Sequence, residues 1–286
     1  ERPKIKYETV IVKRVSIITG GAGGMGLATA KILGSDHSLV LCDLNQNRLD
    51  LAVNELSMAG IEAVGIVTDV TDRNSVNELI VRAQSLGNLV SLVHTAGISP
   101  QMAGAEQILR VNVLGTVNIV NAMFDAASEG FVLVNVASMA GHMLPEIMIP
   151  RRTYRYAFSA SEKLIKKLLL RCKLMPTDFY RRGIAYSISK NFVMWFSREN
   201  AARYGAKGAR ILSISPGIYD TEMGKLEEQS GGVDIAMKSA ALKRVGRPDE
   251  IAELLAFCAT TKAGYLTGVD ILADGGVIAG RKSQHK

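Results

Sequence analysis

The hydrophobic positions of this chain fall in short, predominantly apolar runs, separated by longer stretches with helical spacing. Residues 15–19, 39–42, 63–67, 89–94, 131–136, 211–214 and 269–272 are the runs. Between them, residues 27–33, 48–58, 75–86, 105–127, 184–204 and 248–258 repeat apolar side chains at helical intervals, and Pro248 opens the last of these helices. The strands are apolar at successive positions, as expected when helices cover both faces of a sheet. Strict alternation of strand and helix predicts an α/β fold: a doubly wound parallel sheet of about seven strands with right-handed crossovers. One irregularity interrupts the order. Residues 143–183 are interposed between the fifth strand and the next main helix, and no internal repeat accompanies them.

Composition narrows the class. The chain has 286 residues, enough for one sizeable core, and is read as a single domain over 1–286. Hydrophobic residues at 48% and charged residues at 21% exclude a disordered or fibrous chain. Cys42, Cys172 and Cys258 are odd in number and far apart. They exclude a disulfide scaffold and a paired-cysteine zinc site, and they suit a reducing, cytoplasmic setting with no metal. Residues 1–10 mix acids, bases and proline without an apolar centre, so no signal peptide is expected there. No apolar stretch is long enough to span a membrane. The net charge of +7 is local. Residues 143–183 hold ten basic and three acidic side chains, whereas the rest of the chain balances 24 against 24. The basicity belongs to an insertion, so it does not by itself indicate nucleic acid as a partner.

Candidate chemistry begins at the first turn. Thr19-Gly20-Gly21-Ala22-Gly23-Gly24-Met25-Gly26 follows the first strand and opens a helix. Glycines there permit a tight turn and close backbone approach to a pyrophosphate, and the helix N-terminus supplies free N–H groups. The context makes the sheet Rossmann-like. Asp43 ends the second strand, where a carboxylate binds both adenosine ribose hydroxyls and repels a 2′-phosphate. No Arg or Lys stands in the glycine loop or at position 44, which favours NAD as cofactor. Asp69 and Val70, after the third strand, are placed for the adenine.

In order along the chain, these features resemble the short-chain dehydrogenase/reductase family, from about residue 15 to residue 276. The carriers are Gly20, Gly24 and Gly26; Asn112-Val113-Leu114-Gly115; Ser138; Tyr186-Ser187-Ile188-Ser189-Lys190; Pro216-Gly217 with Thr221; and Asp274-Gly275-Gly276. The resemblance implies a catalytic set of Asn112, Ser138, Tyr186 and Lys190. It also implies a cofactor surface that adds Met25, Ala96, Gly97, Pro216, Gly217 and Thr221 to the residues above. One departure is His94-Thr95-Ala96-Gly97, where the family usually has Asn-Asn-Ala-Gly. Thr95 keeps hydrogen-bonding capacity, and His94 is expected to be structural.

Tyr186 and Lys190 are four residues apart and share a helix face. A free phenol has a pKa of about 10, so service as a base near pH 7 requires about 4 kcal/mol. One cation about 4 Å away supplies that at an effective dielectric of about 20. The implied reaction is hydride transfer between nicotinamide and a carbinol carbon. Tyr186 exchanges the proton, Ser138 holds the oxygen, and Asn112, by the resemblance, holds a relay water.

Met139, His142, Met143, Ile218 and Met223 occupy segments that line the family's substrate pocket, and their apolar character suggests a bulky, steroid-like alcohol or ketone. Alternatives are reduction of a 3-oxoacyl thioester, non-catalytic dinucleotide binding, or a nucleic-acid or membrane-surface role of the basic helix. From Ser138 to Tyr186 is 48 residues, so roughly 35 exceed a generous loop. Bacterial 3α-hydroxysteroid dehydrogenase/carbonyl reductases are similar in carrying an insertion in this interval. Ser159-Ala160-Ser161-Glu162 reads as a capping box before an apolar stripe of Leu164, Ile165, Leu168 and Leu169. The insertion is expected to act as a lid or pocket wall, with an interface element or a passive decoration as the alternatives. Ile188, Phe192, Trp195 and Phe196 lie opposite the Tyr186 face of their helix, which predicts a homo-dimer or homo-tetramer built on that side.

Overall fold

A computed structural model describes residues 13–229 and 232–283. The terminal segment 1–10 lies outside the described residues. Seven strands form one parallel sheet: β1 (Arg14–Thr19), β2 (Ser38–Asp43), β3 (Ala63–Val67), β4 (Asn88–His94), β5 (Val132–Val136), β6 (Arg210–Pro216) and β7 (Asp270–Ala273). Their spatial order is β3–β2–β1–β4–β5–β6–β7. The order reverses between β1 and β4, where a doubly wound sheet opens a crevice at its carboxyl edge.

Alternate side chains of the central strands enter different cores, which is why their runs are predominantly apolar. Ile17, Val40 and Cys42 join the cluster under α3 (Arg73–Gln84), α5 (Gly115–Ala126) and α8 (Asp178–Gly205). Ile18, Leu39 and Leu41 join the cluster under α1 (Gly24–Leu33), α2 (Gln46–Met58) and α11 (Pro248–Cys258). A small third cluster joins Ile218 to α10 (Gly232–Ser239) and to Val277 at the start of α12 (Val277–Ser283). No described helix is long and apolar enough to cross a membrane, and the three cysteines are buried and free.

Three helical expectations need correction. The stretch 105–127 is not one α-helix: α4 (Ala105–Leu109) and α5 are joined by a π-helical turn, Arg110–Leu114. The widened turn re-aims Asn112 at its centre, as π-turns often do at functional sites. The helix expected from residue 184 begins at Asp178, because Thr177 caps it by accepting from the Tyr180 N–H. The insertion therefore runs into α8 without a break. The capping box at residues 159–162 does not form. Ala160 is the N-cap, and Glu162 instead takes the Arg110 guanidinium at 3.0 and 3.3 Å.

The insertion folds as a short helix α6 (Arg151–Tyr154) and a longer one, α7 (Ser161–Lys173). Leu164, Ile165, Leu168 and Cys172 bury the inner side of α7 in the main core. Tyr154 is fully buried, edge-on to Phe192 at 5.2 Å and tilted against Trp195 at 5.3 Å. Phe158 packs on Phe196 and Trp195. The far face of α8 is thus covered by the chain itself. The apolar residues that predicted a subunit contact there, Ile188, Phe192 and Phe196, are already buried. An isolated amphipathic pattern reports that a face is covered, not by what.

Candidate active site

A cleft of about 370 Å³ runs over the carboxyl ends of β1, β2 and β4. Gly20, Gly24, Met25, Gly26, Asp43, Asp69, Val70, Ala96, Gly97 and Thr221 all line it. Gly20 has φ +63° and a Cβ there would sit 3.0 Å from the Ala96 backbone. A Cβ on Gly26 would collide with the Gly20 carbonyl, so α1 can approach β1 only with glycine there. Gly23, the N-cap of α1, makes no side-chain hydrogen bond, which leaves the helix N-terminus open to an anion. These features fit a dinucleotide: a glycine cradle, an uncapped helix end and a long cleft.

At its outer end, Asp43 lines the cleft while Oδ1 accepts from the Leu44 N–H at 2.8 Å. Asp69 is held in a turn by the Thr71 N–H and hydroxyl, both at 2.8 Å. Arg48 also borders the cleft, with Nη2 2.8 Å from Glu222 and 3.3 Å from the Ala22 carbonyl. Sequence reading looked for basic residues only in the loop and at position 44. Arg48 arrives from one turn into α2, which no local motif indicates.

At the inner end, a smaller cavity of about 70 Å³ is lined by Ser138, Tyr186, Lys190, Pro216, Gly217, Met223 and Glu227. The Ser138 hydroxyl accepts from the Ala140 N–H at 3.2 Å and hydrogen-bonds the Tyr186 phenol. Lys190 donates to the Val136 carbonyl at 3.0 Å, and its ammonium lies 5.8 Å from the Tyr186 ring centre. Asn112 ties two elements together. Its amide accepts from the Ile98 N–H at 2.9 Å and donates to the Ile98 carbonyl and the Ser189 hydroxyl, both at 3.0 Å.

The electrostatics differ from the simple sequence argument. Burial pushes the Tyr186 phenol up, and the Glu227 carboxylate pushes it further; the Ser138 hydrogen bond opposes both. Burial pulls Lys190 down to about 8, with Glu227 opposing. Burial raises Glu227, with Lys190 opposing. Desolvation and Glu227 therefore outweigh the Ser138 hydrogen bond, and the chain alone holds Tyr186 as a phenol. Glu227 comes from α9 (Glu222–Gln229). Nothing in its local sequence marks it as a cleft residue.

Four of the five expected pocket residues line neither cavity. His142 Nε2 lies 2.8 Å from Asp270 Oδ2 on β7, and Asp270 also accepts from Ser213 and Ser215. Met139 and Ile218 pack in the third cluster, and Met143 lies beside Arg281. Only Met223 reaches the cleft. No residue of 143–183 lines either cavity, so the insertion is not their wall. The covering element is α9.

His94 occupies the strand end beneath the cleft. Thr19 Oγ1 accepts from the Ala96 N–H at 3.2 Å and shares a hydrogen bond with His94 Nδ1, 2.7 Å away. Thr95 donates to the Thr19 carbonyl at 2.6 Å. Burial, with the Lys190 charge, lowers His94 to about 3. From about pH 6.5 down to 3 the unfolded chain binds this proton and the folded chain does not. The stability this group contributes is therefore lost as pH falls through that window and regained as pH rises. His94→Asn should flatten that part of the profile, measured as urea midpoints against pH for both proteins.

Residues 14–151 match the short chain dehydrogenase family, and residues 177–278 match the family described as enoyl-(acyl carrier protein) reductase. The chain belongs to the short-chain dehydrogenase/reductase family. It is 29% identical over 267 residues to the short-chain dehydrogenase/reductase bsc3 of Alternaria brassicicola, covering 92% of this chain and 96% of that protein. It is also 29% identical over 276 residues to cis-4-hydroxycyclohexanecarboxylate dehydrogenase of Sinomonas cyclohexanicum, covering 93% and 97%. The crystal structure of gox2181 superposes with a TM-score of 0.74 at 24% identity, over 94% of this chain and 97% of that one, a likeness of fold. As a family member the chain is an oxidoreductase of alcohol and ketone substrates that uses a nicotinamide dinucleotide.

Proposed function

We propose that this short-chain dehydrogenase/reductase interconverts a secondary alcohol and a ketone with NAD as cofactor. The observation that carries the reading is the meeting of Ser138, Tyr186 and Lys190 at one end of the glycine-cradled cleft. Bound nicotinamide supplies the hydride or accepts it. Ser138 positions the substrate oxygen: the Ala140 N–H occupies one side of its hydroxyl and Tyr186 the other. Tyr186 Oη holds the proton that is given to the oxygen on ketone reduction, the state its buried phenol favours. In oxidation the phenol must first lose that proton, which positive charge on Lys190 would favour. Asn112 keeps the 96–98 loop and α8 in register, and its relay-water role follows the family pattern.

Two relatives act, by their names, on ring-borne hydroxyls: the hydroxycyclohexanecarboxylate dehydrogenase above and a 3beta-hydroxysteroid dehydrogenase of Eggerthella lenta, 26% identical over 288 residues. They support a bulky cyclic alcohol as substrate. A screen of cyclic alcohols and ketones, followed at the reduced-nicotinamide absorbance, tests this. Absence of turnover on every cyclic substrate would remove it.

NAD preference rests on Asp43 facing the adenosine end, with Arg48 engaged by Glu222. Calorimetric titration should give tighter binding of NAD than of NADP, and Asp43→Ala should narrow the gap. Tighter NADP binding by the unaltered chain refutes the assignment. A homo-dimer or homo-tetramer, where it forms, must use a surface other than the covered face of α8.

A further inference from the structure

Helix α7 has two distinct sides. At about 100° per residue, Leu164, Ile165, Leu168 and Cys172 share one arc, all buried. The opposite arc carries Lys163, Lys166, Lys167 and Lys173, with Arg171 at its border, all exposed. Between these cations stand Leu170 and Leu174, 65% and 77% exposed. The acid of this helix, Glu162, is occupied by Arg110 at its N-terminal end. No ion pair among the described residues takes any of the five cations; Lys163 and Lys167 lie over the Tyr156 ring at 4.6 and 5.6 Å. Just beyond the helix, Phe179 and Tyr180 are 67% and 57% exposed, with ring centres 5.6 Å apart.

Burial explains the inner arc, and the cleft makes no use of the outer one. Solubility accounts for the cations; Leu170 and Leu174 stand one turn apart among them, an adjacent exposed apolar pair rather than scattered single residues. We propose that the outer face of α7, together with the α7–α8 corner, docks this protein onto an anionic lipid surface. Charge complementarity selects a negative partner. A second copy meeting this face about a twofold axis would set like charges against like. The cations are mostly lysines, whose flexible stems lie along apolar surface while the ammonium reaches lipid phosphate. A site for a phosphodiester backbone would favour arginine forks and has no use for Leu170 and Leu174. Leucines and aromatics entering the headgroup region beside lysines match the composition of interfacial helices. With its inner arc locked on α8, α7 lies flat on the body and presents this side without unfolding.

The experiment is vesicle flotation of the full chain, using phosphatidylcholine alone and phosphatidylcholine with phosphatidylserine, at low and high salt. The full chain should float with the anionic vesicles only, and less so at high salt. The pair Lys166→Gln, Lys173→Gln should weaken that partition about 30-fold, at roughly fivefold per lysine. Leu170→Gln with Leu174→Gln should weaken it too, since apolar insertion contributes alongside charge. All four side chains are exposed, and circular dichroism with urea unfolding checks that each variant folds. No flotation, or equal flotation with both vesicle types, overturns the proposal. Binding to duplex DNA that the leucine changes leave untouched, with weak flotation, assigns the face to polyanions instead. A dimer in light scattering that Leu170→Gln dissociates assigns it to a second copy. None of these readouts depends on the reaction proposed above.

Discussion

Replacement of Tyr186 by Phe should lower turnover at least about 100-fold while leaving the fold and cofactor binding in place. The change removes one hydroxyl from a residue that is 8% exposed, so packing is conserved. What is lost is the group that exchanges the substrate proton and the hydrogen bond to Ser138. Ser138 then keeps its Ala140 contact but not its orientation toward the substrate. Steady-state kinetics with NAD and the best alcohol from the substrate screen measures the effect. Cofactor affinity measured by titration should be close to that of the unaltered protein. A variant with undiminished turnover would end the mechanism. The electrostatics sharpen the same expectation. Because burial favours the Tyr186 phenol, oxidation should gain more from rising pH than ketone reduction does.

Tyr154→Ala should destabilise the protein by about 3–5 kcal/mol, the range for truncating a large buried aromatic. Tyr154 is fully buried, contacts Phe192 and Trp195, and donates its hydroxyl to the Ile188 carbonyl at 3.0 Å. Tyr154→Phe keeps the ring and loses that hydrogen bond, so its cost should be nearer about 0.5–1.5 kcal/mol, because the Ile188 carbonyl keeps its helical partner within α8. Urea unfolding of both variants separates packing from hydrogen bonding. A value near zero for Tyr154→Ala would mean that the insertion does not hold the outer face of α8. The consequence reaches the site, since Ile188 and Asn191 flank Lys190 on the same helix. Asn191 also donates to the Gly141 carbonyl at 3.0 Å, in the turn that follows Ser138. The insertion thus packs against the catalytic helix from the side opposite Tyr186.

The sheet and the catalytic set were legible because each depends on short-range or repeated constraints. A strand buried on both faces must be apolar at successive positions, so Ile17 and Ile18 announce themselves although they enter different cores. Gly20 at φ +63° and Gly26 against the Gly20 carbonyl admit no side chain, so the turn is written in glycine. Tyr186 and Lys190 share a helix face by spacing alone. Ser138, by contrast, was linked to them through its motif, and its bond to Tyr186 belongs to the fold. Helix limits were less legible. Thr177 extended α8 by nearly two turns, and the π-turn at Asn112 left no trace in apolar spacing.

Side-chain partners across the fold were decided only by the tertiary structure. His142 stands four residues after Ser138 yet turns to Asp270, because β7 lies beside β6 and brings that carboxylate within 2.8 Å. Glu227 and Arg48 enter the cleft from helices whose local sequences look like solvated surface. The amphipathic faces of α7 and α8 each required a cover, and periodicity predicted that requirement correctly. It could not show that α7 packs on α8 and α4, or that Tyr154 and Phe158 cover the aromatic face of α8. Periodicity measures how strongly a face avoids water, and the identity of its neighbour depends on where 286 residues of chain place the next element.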